Sequence, residues 1–452
     1  MAKVVGKWVG TLLIFFGLFL NPFVLGSLFS NNGSIESVSF LGLIVGIETL
    51  FFVLGSAILK TKDRLLQNVG ISVISVVIVS GTTISADRVY GRFLMPETAN
   101  LLFPAFSRAE HHTSEFKLDV RINNLGFRGA NTTIEKTRKR VMVIGDSFTF
   151  GWGVEQDETW VHLLSEKYPS VEFLNLGQGG NHPGDFVRIA KRAIPLLKPD
   201  LVMVAILQGN DLHQLMRVIE FEESGSRTDS LSEVEEPTQE KLRRWASILF
   251  PNLVTRLPRK VSMRDAWLMD AKALLASINE EQKTKYRSLN ENLREQFESG
   301  RLNPSLIYES VHHPDMFRTS VDTNDPLCSK AITRLHDHLV ELRELAEENE
   351  AEMIILSLPN RPYGFHETLK PLAELGFDVD GCDTLNADFA FYRAVTGLNA
   401  SVLSPQLDAE SYPYYTYDGH WNTAGNRIFA RQLYGQLDTL PLWKHSLTSS
   451  DF

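Results

Sequence analysis

The sequence predicts a doubly wound α/β sheet with a helical insertion, preceded by three membrane-spanning helices, and three observations carry that prediction. After residue 140, short apolar runs of strand length alternate with stretches of helical period, the pattern of a parallel sheet covered on both faces. The first three runs end in Gly-containing polar turns, and in such sheets ligands bind beyond the carboxyl ends of the strands. The first 86 residues hold long uncharged apolar stretches, near the ~20 residues that a helix needs to cross about 30 Å of hydrocarbon.

The predicted strands are residues 140–144, 171–174, 201–207 and 353–358, with a weaker fifth at 400–403. Helical stretches at 159–167, 185–197 and 332–348 lie between them. From about 213 to 326 the alternation is interrupted by a polar segment of helical pattern, heavy in charge at 233–244 and 277–298. It reads either as a solvated cap or as a substrate-binding lid. The 452 residues therefore divide into an anchor at 1–86, a lead-in at 87–139 with a turn at 123–128, and an α/β catalytic domain at 140–452.

The spans expected in the anchor are residues 9–28, 38–59 and 65–84. Lys3 and Lys7 precede the first, only Glu36 lies in the first connector, and Lys60, Lys62 and Arg64 fill the second. By the positive-inside rule the amino terminus is cytoplasmic and everything beyond residue 84 is extracytoplasmic, so the lipid bilayer is an expected partner of a multi-pass protein. A cleaved signal peptide competes for the first span, but the apolar run is long for one and no small-residue cleavage site stands out. Glu48, mid-span, is either a functional group or a protonated carboxyl bonded to a neighbouring helix.

A net charge of −10 without a basic stripe argues against a nucleic-acid partner. Cys328 and Cys382 fit no metal spacing and stand either as a disulfide, if the domain is exported, or as two buried thiols. The doublets His111-His112 and His312-His313, near Glu110 and Asp315, read as exposed loop histidines and not as metal ligands. Residues 177–180 lack the G-x-G-x-x-G pattern, so no dinucleotide is expected.

Chemistry concentrates at the strand ends. Ser147 follows the first strand between Gly145 and Gly151, where a serine can present its hydroxyl at the sheet edge as a nucleophile. Gly180 after the second strand can offer a backbone N–H and Asn210 after the third a side-chain N–H. With the Ser147 amide they would form an oxyanion hole of three donors. His420, ahead of a helical stretch, can take the Ser147 proton, and Asp418 can orient its imidazole. Each residue alone has a bland alternative, a capping serine, a turn glycine or a surface histidine.

Together the segments Gly145-Asp146-Ser147, Asn175 to Gly180, Gly209-Asn210-Asp211 and Asp418-Gly419-His420 resemble the ordered blocks of the SGNH/GDSL hydrolase superfamily. The resemblance covers about residues 140–211 and 353–437. It implies a flavodoxin-like sheet and an acyl-serine intermediate, with neither cofactor nor metal. Many members space the last pair as D-x-x-H; here it is D-x-H followed by Trp421 and Asn422, which bears on Asp418 and not on His420. That variant is similar to the alginate-type O-acetyltransferases, extracytoplasmic relatives that move acetyl groups on polysaccharides.

Three functions follow. The chain removes an acyl group, with acetyl the first candidate, from an extracytoplasmic glycan or lipid. Alternatively it transfers that group to a cell-surface polysaccharide, which would require a separate donor or a membrane partner. In the third reading it is an inactive SGNH-like glycan-binding domain, which the presence of every catalytic block disfavours. Water access to the acyl-enzyme separates the first two.

Overall fold

The computed structural model describes residues 2–19, 38–60, 64–93, 99–224, 246, 250–252, 260–382, 384–407, 411–441 and 443. The chain divides into two compact units, residues 1–95 with 238–254 and residues 96–237 with 255–452.

The first unit contains α1 (Ala2–Phe19), α2 (Val38–Lys60) and α3 (Arg64–Phe93). Glycine lets α1 and α2 approach closely, since a Cβ on Gly10 would stand 2.8 Å from the Gly55 carbonyl oxygen and one on Gly55 would stand 2.9 Å from that of Gly10. Val9, Leu13, Phe51 and Ile58 form its small core. None of its described helices is long and apolar enough to cross a membrane, which overturns the three predicted spans. Polar groups interrupt the apolar runs: Lys3 and Lys7 lie inside α1, Glu48 and Thr49 sit mid-way along α2, and α3 carries Gln67, Asn68, Asp87 and Arg88. Residues 20–37, the end of the first expected span among them, lie outside the described residues. The extracytoplasmic placement of the rest of the chain rested on those crossings. Beyond the expected boundary at 86, α3 continues to Phe93, and Asn252 donates to the Asp87 carbonyl and carboxylate, both at 3.0 Å.

The second unit is built on a five-stranded parallel sheet of β3 (Lys139–Gly145), β4 (Val171–Gly177), β5 (Leu201–Leu207), β7 (Glu352–Leu358) and β8 (Ser401–Leu403). Its order is β4-β3-β5-β7-β8, so the chain leaves β3 to one side and then returns to the other. The topological switch point lies between β3 and β5, where such sheets bind ligands. Successive residues of a strand face opposite sides. Val141 and Val143 accordingly pack with Trp160 and Leu164 of α5 (Trp160–Lys167) and Phe429 and Leu433 of α14 (Thr423–Leu437). Met142 and Ile144 join the core that holds Phe186 and Ile189 of α6 (Pro183–Leu197), Leu215 of α7 (Asn210–Ser224) and Leu335 of α13 (Pro326–Glu348). Burial on both faces is why the strands read as unbroken apolar runs.

The lead-in is more than a connector. β1 (Arg108–His112) and β2 (Lys117–Arg121) form an antiparallel hairpin, and β6 (Lys260–Ser262) adds in parallel to β1, giving a second sheet of order β2-β1-β6. Leu118 and Val120 point inward with Phe116, Ile122 and Phe150 while Lys117 and Arg121 face solvent, a period-2 pattern legible in the sequence.

The insertion continues through α8 (Met263–Ser277), α9 (Glu280–Ser288), α10 (Glu291–Glu298), α11 (Pro304–His312) and the short α12 (Met316–Thr319). Its charged stretch at 277–298 forms α9 and α10, whose first turns are capped by the Asn279 and Asn290 side chains. The charged stretch at 233–244 lies outside the described residues. α13 starts earlier than the pattern predicted because Asp325 caps it and Pro326 occupies its first turn. Cys328 and Cys382 are both buried and form no disulfide.

Candidate active site

β3 ends in a single helical turn, α4 (Ser147–Phe150), that carries the predicted nucleophile. The Asp146 carboxylate caps it by accepting from the Phe148 N–H at 2.9 Å, and Gly151 closes it at φ 84°, a backbone state that favours glycine. Ser147 opens the turn, so its own N–H has no partner within the helix. The far end is held by Arg128, which is buried and donates to the carbonyls of Phe150, Gly151 and Val154 at 3.1, 2.5 and 2.6 Å. Nothing in the sequence around residue 128 marks this role.

Two buried carboxyls lie behind this turn. Burial pushes Asp146 up to about 6. Burial and the Asp146 charge raise Asp211 well above the ordinary range, although its Oδ2 accepts from the Leu207 N–H at 2.9 Å. Two like charges at this depth resist ionising together.

The carboxyl-terminal loop brings the predicted base to the serine. His420 Nε2 stands 2.7 Å from Ser147 Oγ, and its Nδ1 stands 2.6 Å from Asp418 Oδ1. Asp418 Oδ2 also accepts from the Trp152 indole N–H at 3.3 Å. Burial opposes charge on Asp418, but the His420 imidazole, the hydrogen bonds from His420 and Trp152, and the Arg361 guanidinium outweigh it and hold the carboxyl below its ordinary value. The D-x-H spacing works because the intervening Gly419 adopts φ 80° and packs on the Arg361 guanidinium where a Cβ would collide. Phe148 and Trp152 flank the imidazole, with ring centroids 4.8 and 5.9 Å away.

Gly180, at φ 79°, has no atom within 4 Å of where a Cβ would stand. Asn210 opens α7. Both line a cavity of about 540 Å³ together with Ser147, Asp418 and His420. The insertion supplies much of the opposite wall through Trp267, Asn303, Ser305, Leu306, Glu309 and Phe317, none of which the sequence singled out. One turn beyond Asn210, His213 Nε2 meets Glu309 Oε2 at 3.1 Å, while Arg217 donates to the same oxygen at 3.4 Å and to the Tyr308 hydroxyl at 3.1 Å. Burial works against the Glu309 charge, yet His213 and Arg217 hold it below the ordinary carboxylate range. This cluster ties the insertion to the helix that bears Asn210.

The expectation that the histidine doublets are exposed loop residues is corrected by the structure. His111 lies buried in β1 with its ring tilted against Trp152, centroids 4.5 Å apart, and burial lowers its imidazole to about 4. His112 is exposed but ends β1, while His312 ends α11 stacked on Tyr308 at 4.2 Å and is half-buried, as is His313 beside it. Among the described residues no group of three or more His, Cys, Asp or Glu could hold a metal ion.

The sheet order, with Ser147, Gly180 and Asn210 at three strand ends and His420 against the serine, makes this an α/β protein in which the four blocks singled out in the sequence meet at one cavity. Three solved structures are similar to this chain. A member of the lipolytic protein G-D-S-L family from Veillonella parvula is 12% identical, matched over 67% of this chain and 100% of its own, with a TM-score of 0.31. The psychrotrophic esterase EstA from Pseudoalteromonas sp. is 10% identical over 66% and 97%, TM-score 0.31. A catalytic mutant of Axe2, an acetylxylan esterase from Geobacillus stearothermophilus, is 13% identical over 66% and 93%, TM-score 0.28. At such scores the likeness carries no weight for chemistry or substrate. No family model matches the chain, and no curated protein is found as a sequence relative.

Proposed function

We propose that the chain is a serine esterase that removes a short acyl group, acetyl first among them, from a neutral glycan. The observation that carries this reading is the continuous hydrogen-bonded line from Ser147 Oγ through His420 to Asp418, at 2.7 and 2.6 Å, opening on one cavity. His420 Nε2 takes the hydroxyl proton as Oγ bonds to the ester carbonyl carbon, and the oxygen that becomes negative is met by the N–H groups of Ser147 and Gly180 and the Asn210 amide. Collapse breaks the bond to the leaving alkoxide, which receives the proton from His420 and leaves an acyl-serine. Water, deprotonated by His420, then bonds to the acyl carbon; collapse breaks the bond to Ser147 Oγ, which takes the proton back from His420 as the acid leaves.

The cavity lining supports the substrate class. Gln214, Asn303, Ser305 and Glu309 offer hydrogen-bonding groups beside Trp152 and Trp267, the mixture that suits a sugar hydroxyl face. Arg361 is the one lysine or arginine among the described lining residues, and it is buried and donates to the Thr416 carbonyl at 3.1 Å. Among the described lining residues a phosphate-bearing acyl donor would find no lysine or arginine other than this buried one.

Transfer of the acyl group to a sugar hydroxyl uses the same residues and is the second outcome of one experiment. The full chain is incubated with an aryl acetate and an unacetylated oligosaccharide, and products are read by mass spectrometry. Free acetate supports the esterase, acetylated oligosaccharide supports transfer, and an unconsumed ester overturns both. Asn210→Ala is expected to lower kcat by about 10²–10³-fold with KM little changed, the cost of one lost oxyanion donor. Initial rates across substrate concentrations check this.

A further inference from the structure

We propose that Glu115 is a positioning residue for the acid–base pair, a role that rests on the esterase reading above. Glu115 lies in the turn between β1 and β2, far in sequence from the residues it touches. Thr113 fixes that turn: its Oγ1 accepts from the Glu115 and Phe116 N–H groups at 3.1 and 3.0 Å, and its N–H donates to the Phe116 carbonyl at 3.0 Å. The Glu115 carboxylate then accepts three successive backbone N–H groups of the loop that enters the site. Thr416 donates at 2.6 Å to Oε1, Tyr417 at 3.2 and 3.0 Å to the two oxygens, and Asp418 at 2.7 Å to Oε2.

Consecutive N–H groups converging on one anion make a nest that sets the path of the chain. Arg361 holds the same segment from its carbonyl side by donating to Thr416 O at 3.1 Å. Residues 416–418 are therefore gripped by opposite charges on two sides, and the grip ends on the residue whose carboxylate orients His420. Holding a second carboxylate this close to Asp418 is costly. Burial and the Asp418 charge push the Glu115 carboxyl up while the three N–H groups pull it down. A group kept against that penalty serves the geometry it holds. The short D-x-H spacing explains the need: one glycine separates Asp418 from His420, so the backbone ahead of Asp418 must be anchored from outside the loop.

The test uses the full chain carrying Glu115→Ala or Glu115→Gln, each alone and combined with Asp418→Asn. Two rates are measured, ester hydrolysis and covalent labelling of Ser147 by a fluorophosphonate probe. Glu115→Ala is expected to lower kcat and the labelling rate by about 10²-fold, the scale of an ångström-sized misplacement, with KM within about threefold of the parent. Glu115→Gln keeps one carbonyl acceptor and is expected to lose less; being isosteric, it carries the test if the alanine variant does not fold. In the Asp418→Asn background either substitution is expected to cost no more than about twofold, because two changes on one pathway do not add. Rates equal to the parent, an equal loss in both backgrounds, or a loss confined to KM would each overturn the proposal. A parent protein that neither labels nor consumes ester overturns the esterase reading instead, so the two failures are distinguishable.

Discussion

Ser147→Ala is expected to lower kcat on a short-chain aryl ester on the order of 10⁶-fold, the loss seen when a serine nucleophile is removed from an intact triad. Oγ is the atom that becomes bonded to the acyl carbon, and nothing else in the cavity replaces it: His420 stands 2.7 Å behind the hydroxyl, and Asp418 is behind His420. The residual rate would come from the oxyanion donors acting on water. The fold should be indifferent to the change, because the turn is capped by Asp146 and Gly151 and locked by Arg128, none of which uses the serine hydroxyl. The experiment is a pair of measurements, initial rates and thermal unfolding. A folded variant with parental activity would remove Ser147 from the mechanism and the esterase reading with it.

Asp418→Asn is expected to cost about 10⁴-fold in kcat, for a reason of proton placement and not of shape. The carboxylate accepts from His420 Nδ1–H, which leaves Nε2 free to take the serine proton. An amide in the same place can turn its NH₂ toward Nδ1, which favours the tautomer with its proton on Nε2, unable to act as a base. The Trp152 indole N–H, 3.3 Å from Asp418 Oδ2, steers the amide that way by claiming its carbonyl oxygen. Rates measured over a range of pH, beside a thermal unfolding curve, check this. A loss smaller than about tenfold in a folded variant would make Asp418 a spectator and leave His420 to act alone.

The core strands and the site blocks were legible for the same reason. A strand buried on both faces must be apolar throughout, and a turn that exposes a serine must be rich in glycine and capping residues, so both leave local marks. The β1–β2 hairpin left such a mark in the alternation around Leu118 and Val120, but the mark was short and was read as part of a connector. The membrane spans were read from apolar runs with Lys3 and Lys7 taken as flanking charges, whereas both lie inside α1, and α2 and α3 likewise carry Glu48 and Asp87 within them.

By itself the sequence determined which residue types stand at the sheet edge: Ser147, Gly180, Asn210, and His420 with Asp418 nearby. It also determined that the sheet is parallel and covered on both sides. Only the tertiary structure decided that Glu115, Arg128 and Arg361 hold those residues in place, and that α8, α11 and α12 help to wall the cavity. Hydrophobic period and turn chemistry describe neighbours along the chain, whereas the Glu115 carboxylate meets the Asp418 N–H across |i−j| = 303. A polar residue that serves a backbone so distant carries no periodic signature, and its meaning appears only when the two segments are side by side.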